Sequence, residues 1–185
     1  FCFPISILAF INILYSLYFD YFLSIESYFV SLVISLFAGI IFYFFGQKTN
    51  KKISFIDQLV LIISVYVLIG LLISIPFYLS NFQITFENAF IESISGLTGT
   101  GFSTFKNIKY LDPTLILWRS SSQWIGGLYF LFSIIILIDI FDDNLKKSIT
   151  NFFSFNSSEI LKQSMKIFII YLSLTIFIYF VLKII

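Results

Sequence analysis

The sequence predicts an all-α integral membrane protein. It should form a helical hairpin, then one unit of long helix, short helix, loop and long helix, then a further long helix where another such unit would start. Three observations predict this. Apolar runs of about twenty residues recur along the chain, long enough to cross hydrocarbon. Of the 185 residues, 59% are hydrophobic and 11% charged, with a mean hydropathy of +1.00, whereas soluble domains carry about 25% charged residues. Between two of the runs lies Ser95-Gly96-Leu97-Thr98-Gly99-Thr100-Gly101-Phe102-Ser103, which is polar, rich in glycine and uncharged.

Residues 1–46 read as the hairpin. Phe3 to Phe22 is one run, closed by Asp20 and the interfacial Tyr18 and Tyr21; Tyr28 to Phe45 is the next, closed by Gly46. The link between them is short, so the two helices are antiparallel. Asn12, Ser31 and Ser35 lie inside these runs, where interhelical hydrogen bonding is their simplest use. Gln47 to Ser54 is an aqueous loop with Lys48, Lys51 and Lys52.

Residues 55–140 form the first unit. Its opening helix, 55–79, has Asp57 at its positive end and Pro76 as a kink or stop. A short helix follows at 85–95, with Thr85 as N-cap, Glu87 in the first turn and Gly96 as its stop. At about 1.5 Å per residue it is far too short to span a bilayer. Its negative end faces the loop at 96–103.

Non-helical backbone at membrane depth must be buried in protein or line a water-filled cavity. Glycine supplies φ > 0 there without a Cβ clash. The carbonyls of Thr98, Gly99, Thr100 and Gly101 can then turn inward and replace the water around a cation. Asp112-Pro113 opens the next helix, 113–140. Its outer third is polar, with Arg119, Ser120, Ser121, Ser122, Gln123 and Trp124, and Gly126-Gly127 follow. Residues 141–158 form a linker. Ser157 or Ser158 caps the last helix, 159–185, with Glu159 in its first turn.

An unpaired carboxylate at Glu92 would be costly in a membrane. Arg119, on the next helix and near the same depth, is the natural partner, and the pair would brace the loop; otherwise Arg119 snorkels to the headgroups. Gln123 shares a face with Arg119 one turn on and is placed to hydrogen-bond loop backbone. Gly126 and Gly127 offer a flexible joint or close helix packing.

Seven of the eleven basic residues fall in the Lys48–Lys52 and Lys146–Lys166 segments, which alternation places on one side. The positive-inside pattern makes that side cytoplasmic and turns the glycine loop outward. A net charge of +1 argues against nucleic-acid binding. With one cysteine, Cys2, and no histidine, neither a disulfide nor a histidine-based catalytic triad can be assembled, and no enzymatic constellation competes. The chain begins with Phe1 inside one apolar run and ends at Ile185 inside another, so it is expected to be a piece of a longer protein.

Asn88-Ala89-Phe90-Ile91-Glu92-Ser93-Ile94-Ser95-Gly96-Leu97-Thr98-Gly99-Thr100-Gly101 resembles the first filter of the Trk/Ktr/HKT potassium transporter superfamily, nearest to the bacterial TrkH type. Trp118-Arg119, Gln123-Trp124 and Gly126-Gly127 resemble that family's segment on the helix after the filter, with Trp118 replacing a tyrosine. Gly99 stands where the TrkH type often has threonine, and Phe102 where it often has alanine.

The resemblance implies a potassium-channel-like fold. It also implies potassium uptake through a filter of backbone carbonyls, with this chain supplying one of four pore repeats and Gly101 linked to potassium preference. It further implies a multi-pass protein of the bacterial inner membrane, usually a homodimer, with a cytosolic nucleotide-binding regulatory subunit and no cofactor besides the transported K+. The competing expectation is a non-transporting membrane scaffold or partner-binding module whose glycine stretch is a plain re-entrant turn.

Overall fold

A computed structural model of the chain describes residues 2–21, 25–46, 55–138 and 160–184. These are helical apart from turns and the loop after residue 98. The helices are α1 (Cys2–Tyr18), α2 (Ile25–Gly46), α3 (Phe55–Tyr78), α4 (Phe86–Thr98), α5 (Pro113–Ile138) and α6 (Ile160–Ile184), with a short 3₁₀ turn at Ile108–Tyr110. Among the described residues three segments are long and apolar enough to cross a membrane: Ile25–Gly46, Ile56–Tyr78 and Met165–Ile184. α5 is 26 residues long, with its polar stretch from Arg119 to Gln123 in the first half. The Lys48–Lys52 loop and the linker expected at 141–158 lie outside the described residues.

The chain divides into two compact units, 1–127 and 128–185, with the boundary inside α5. In the second unit α6 is an almost wholly exposed apolar helix. Its Ser173 and Thr175 hydroxyls donate back to the Ile170 and Tyr171 carbonyls, so neither leaves a bare polar group on an apolar surface.

In the first unit α1 packs on α2, α2 on α3, and α3 on α4. The hairpin's first helix is shorter than its apolar run: it ends at Tyr18, not Phe22. Asp20 takes a left-handed conformation, φ 58°, and the Tyr21 N–H donates to the Ser16 carbonyl at 2.9 Å. Such a bond closes a helix end and turns the chain toward α2. The hairpin's inner seam is polar, with Asn12, Ser16, Ser31 and Ser35 all fully buried. The Asn12 amide donates to the Leu8 carbonyl at 2.9 Å. The expected interhelical bonding is made by Ser31, which reaches α3, whereas Asn12 and Ser35, like Ser6, bond within their own helices.

Pro76 neither stops α3 nor stands alone. It lies inside the helix, where it has no N–H to offer the carbonyl four residues back. That carbonyl, of Leu72, accepts instead from the Ser31 hydroxyl at 3.5 Å. The next carbonyl, Ile73, accepts from the Trp118 indole N–H at 3.0 Å. Trp118 is buried and lies 5.7 Å from the Tyr28 ring, and the Tyr28 hydroxyl meets Thr114 at 3.1 Å. The flaw in α3 is therefore where α2, α3 and α5 are tied together.

α4 is seated by glycines. A Cβ on Gly70 of α3 would meet Ile94 Cδ1 at 2.6 Å, and the Gly70 carbonyl accepts from Ser93 at 2.7 Å. A Cβ on Gly96 would collide with the Ser122 hydroxyl, and one on Gly126 with the Leu97 backbone. Gly126 thus serves close packing of α5 on the end of α4. Gly96 does not stop α4, as the sequence suggested; it lets α5 approach. The helix continues to Thr98 and ends at Gly99, in the left-handed region at φ 68°.

Gly126→Ala should destabilise the detergent-purified protein by about 1–3 kcal/mol, because the new methyl meets backbone that cannot swing aside. Gly46→Ala, with open space around it, should leave the thermal midpoint within error. Equal midpoints for both variants would contradict the packing described.

Candidate functional site

The sequence of α4 explains its geometry. Thr85 is extended and its hydroxyl accepts from the Asn88 N–H at 3.3 Å, while Glu87 sits in the first turn. With 13 residues α4 is about 20 Å long, short of the roughly 30 Å of a bilayer core. From Gly99 the chain runs without regular structure to the 3₁₀ turn, passing a second left-handed glycine, Gly101, at φ 75°. Both glycines are exposed, and a Cβ on either would meet nothing within 4 Å. What limits substitution there is backbone conformation, which costs a residue with a Cβ about 1–2 kcal/mol.

Behind this loop lies Glu92, with no exposed surface. Its Oε1 accepts from Arg119 Nε at 2.5 Å. Its Oε2 accepts from the Thr104 N–H at 2.8 Å and the Thr104 hydroxyl at 3.1 Å. The Ser103 hydroxyl lies 3.2 and 3.1 Å from the two oxygens. A carboxylate offers about four lone-pair positions, so this one is fully engaged. Arg119, 15% exposed, reaches on with Nη2 to the Gly101 and Phe102 carbonyls, both at 3.4 Å. One ion pair therefore holds the descending arm of the loop at four successive residues, Gly101 to Thr104.

Hydroxyls on and next to the last turns of α4 add to this hold. Thr98 Oγ1 donates to the Ile94 carbonyl at 2.8 Å. The Ser95 hydroxyl donates to the Phe102 carbonyl at 2.6 Å, and Thr100 Oγ1 lies 3.1 Å from the Ser95 oxygen. Downstream, Phe105 packs between Phe77 and Phe82, its ring centroid 6.1 Å from each, tilted to the first and edge-on to the second, and fixes where the loop leaves. An open hollow of about 300 Å³ lies beside the loop, lined by Phe90, Ile94, Thr98, Thr100 and Phe102 among others.

Thr98, Gly99, Thr100 and Gly101 thus lie together and exposed, Thr98 as the last residue of α4. Gln123 departs from expectation: it is exposed and makes no side-chain hydrogen bond with the described residues, and it is Arg119, one turn earlier, that bonds the loop carbonyls. Gly127 is half-buried in α5 beside the packed Gly126. Sequence reasoning missed Ser95, Ser103 and Thr104. A signal was available, since Ser95 follows Glu92 by three positions and shares its helix face, and the other two are the first hydroxyls past the glycines.

No protein-family model matches the chain, and no solved structure does. Among curated proteins it is similar to an uncharacterized cation transporter of Methanocaldococcus jannaschii, 41% identical over 54 residues, which is 29% of this chain and 11% of that protein. It is similar to the Trk system potassium uptake protein TrkH of Escherichia coli, 27% identical over 104 residues, covering 56% of this chain and 21% of TrkH. It is also similar to TrkI of Halomonas elongata, 38% identical over 63 residues, covering 34% and 13%. The matched segments span about a fifth or less of these relatives' lengths. The curated homologues are thus transporters, not enzymes. With three membrane-capable helices, they support a Trk-type membrane protein.

Removing the carboxylate by Glu92→Ala strands a guanidinium and three loop donors. It should cost about 3–5 kcal/mol of stability. Glu92→Gln, which keeps an acceptor for the Thr104 N–H, should cost less. Thermal unfolding of both proteins tests this ranking, and a wild-type midpoint for Glu92→Ala would refute it.

Proposed function

We propose that this Trk-type chain supplies one of four pore repeats of a potassium uptake protein, and that the carbonyls of Thr98, Gly99, Thr100 and Gly101 line the ion path. On this reading α4 is the pore helix and residues 99–103 are the filter strand. The negative end of α4 faces the ion, where about half an elementary charge attracts cations.

The observation that carries the reading is the one-sided tethering of the loop. Phe102 to Thr104 are held by Arg119 and Glu92. Arg119 Nη2 also reaches the Gly101 carbonyl at 3.4 Å, a long bond that this carbonyl would give up to face an ion, and a Cβ on Gly99 or Gly101 would meet open space. A loop that must present carbonyls to a passing ion needs such bracing. Carbonyls free to reorient would follow the ion instead of discriminating between ions. The pairing of Arg119 with Glu92 has a second use: an uncompensated guanidinium so near the path would repel cations. Glu92 and Arg119 are accordingly the filter's supports, and Gly126 the contact that holds α4 against α5.

The remaining repeats would come from further chain. The loop would open to the outside of a bacterial inner membrane, and a homodimer with a cytosolic nucleotide-binding regulator would complete the assembly. K+ is the cargo and needs no resident cofactor.

The complete reading frame, expressed in cells stripped of their own potassium uptake, should restore growth at low K+ and accumulate Rb+. Gly101→Ala should cut Rb+ uptake at least about fivefold at unchanged protein amount, through the left-handed strain it imposes. Absence of K+ or Rb+ uptake by well-expressed wild-type protein would leave the scaffold reading in place of this one.

A further inference from the structure

We infer that Ser95 is a positioning residue of the ion path: its hydroxyl sets the direction of the proton chain beneath the loop and so turns the lone pairs of Thr100, not its proton, toward the entering cation. The inference rests on the transport reading above and deepens it.

Counting protons fixes the direction. A hydroxyl has one proton to give and two lone pairs to receive with. Ser95 spends its proton on the Phe102 carbonyl, 2.6 Å away. At the 3.1 Å contact between Ser95 and Thr100, the donor is therefore Thr100. Thr98 has given its proton to Ile94, at 2.8 Å. Its 3.4 Å contact with Thr100 can again be donated only by Thr100. The Ser95 carbonyl, 3.4 Å from Thr100 Oγ1, is a third acceptor.

Thr100 thus has one proton, three acceptors beneath it and no donor among the described residues. Its side chain lies at the exposed surface of the loop. The oxygen end of its dipole is left for whatever approaches from the open side, and that end attracts a cation.

Ser95 holds this arrangement from a protected place. It is 5% exposed, on the last turns of α4, and its one hydroxyl joins two loop residues on either side of Gly101. Alanine there would leave the Phe102 carbonyl without its shortest donor and Thr100 without its nearest acceptor. Thr100 could then rotate its proton outward, and the span from Thr100 to Phe102 could widen. The loss would fall on discrimination between ions of different size before it fell on folding.

The test measures Rb+ uptake with Na+ as competitor in the complete protein, alongside membrane abundance and thermal midpoint. Ser95→Ala should lower the Rb+/Na+ preference about fivefold, the scale of one lost hydrogen bond, at near-normal abundance. Ser95→Thr, which restores the hydroxyl, should recover it. If Ser95→Ala fails to accumulate, Thr100→Val takes its place, with the same fall expected. Where both express, the double variant should be no worse than either single one, as for two members of one chain. An unchanged preference in Ser95→Ala or Thr100→Val, or equal loss for both ions, would overturn the role while leaving the transport reading intact. Failure of wild-type protein to move either ion would bring down both.

Discussion

A carboxylate without any solvent contact is among the most demanding groups a membrane-bound helix can carry, and Glu92 is such a group. Its presence forces the surrounding chain into order. It needs a cation, and Arg119 must project from α5 at the right height to supply one. It needs further donors, and the backbone beyond the glycines must fold back over α4 to bring Ser103 and Thr104 within reach. The loop's shape follows from the electrostatics of a residue that is not in the loop. The ion pair also ties α4 to α5 from one side while Gly96 and Gly126 permit close contact on the other.

The sequence disclosed a good deal of this. Helix length and apolarity were plain from α2 and α3, whose ends fall within three residues of the apolar runs. The caps at Thr85 and Asp112 were legible because capping is local chemistry: each side-chain oxygen accepts from an N–H two or three residues on. The pairing of Glu92 with Arg119 could be guessed because a buried charge admits few solutions. The end of α4 was misjudged, because a glycine that stops a helix and one that admits a neighbour look alike until the neighbour is placed. Gly96 is the second kind and Gly99 the first.

What could not be read was how the hydroxyls divide their work. Serines and threonines are common in membrane helices, and most here bond back to their own helix, as Ser35, Ser74 and Ser133 do. Ser95, Ser103 and Thr104 differ only in what the fold brings opposite them. Gln123 failed for the complementary reason: helical spacing gave its face correctly but not the fact that Arg119, one turn earlier, bonds the loop carbonyls. Periodicity tells which side a residue is on, and occupancy of that side is a tertiary matter.

The interrupted ladder of α3 constrains how this chain can change over time. Pro76 orphans a carbonyl, Ser31 answers it from another helix, and Trp118 answers the one beside it. Replacing the proline would let the helix bond itself and make the serine redundant, whereas losing the serine first would strand a polar group in a dry interior. Drift at these two positions is therefore directional. The proline can go before the serine but not after it, and Trp118, fixed by its own bond and by Tyr28, holds the geometry steady in between.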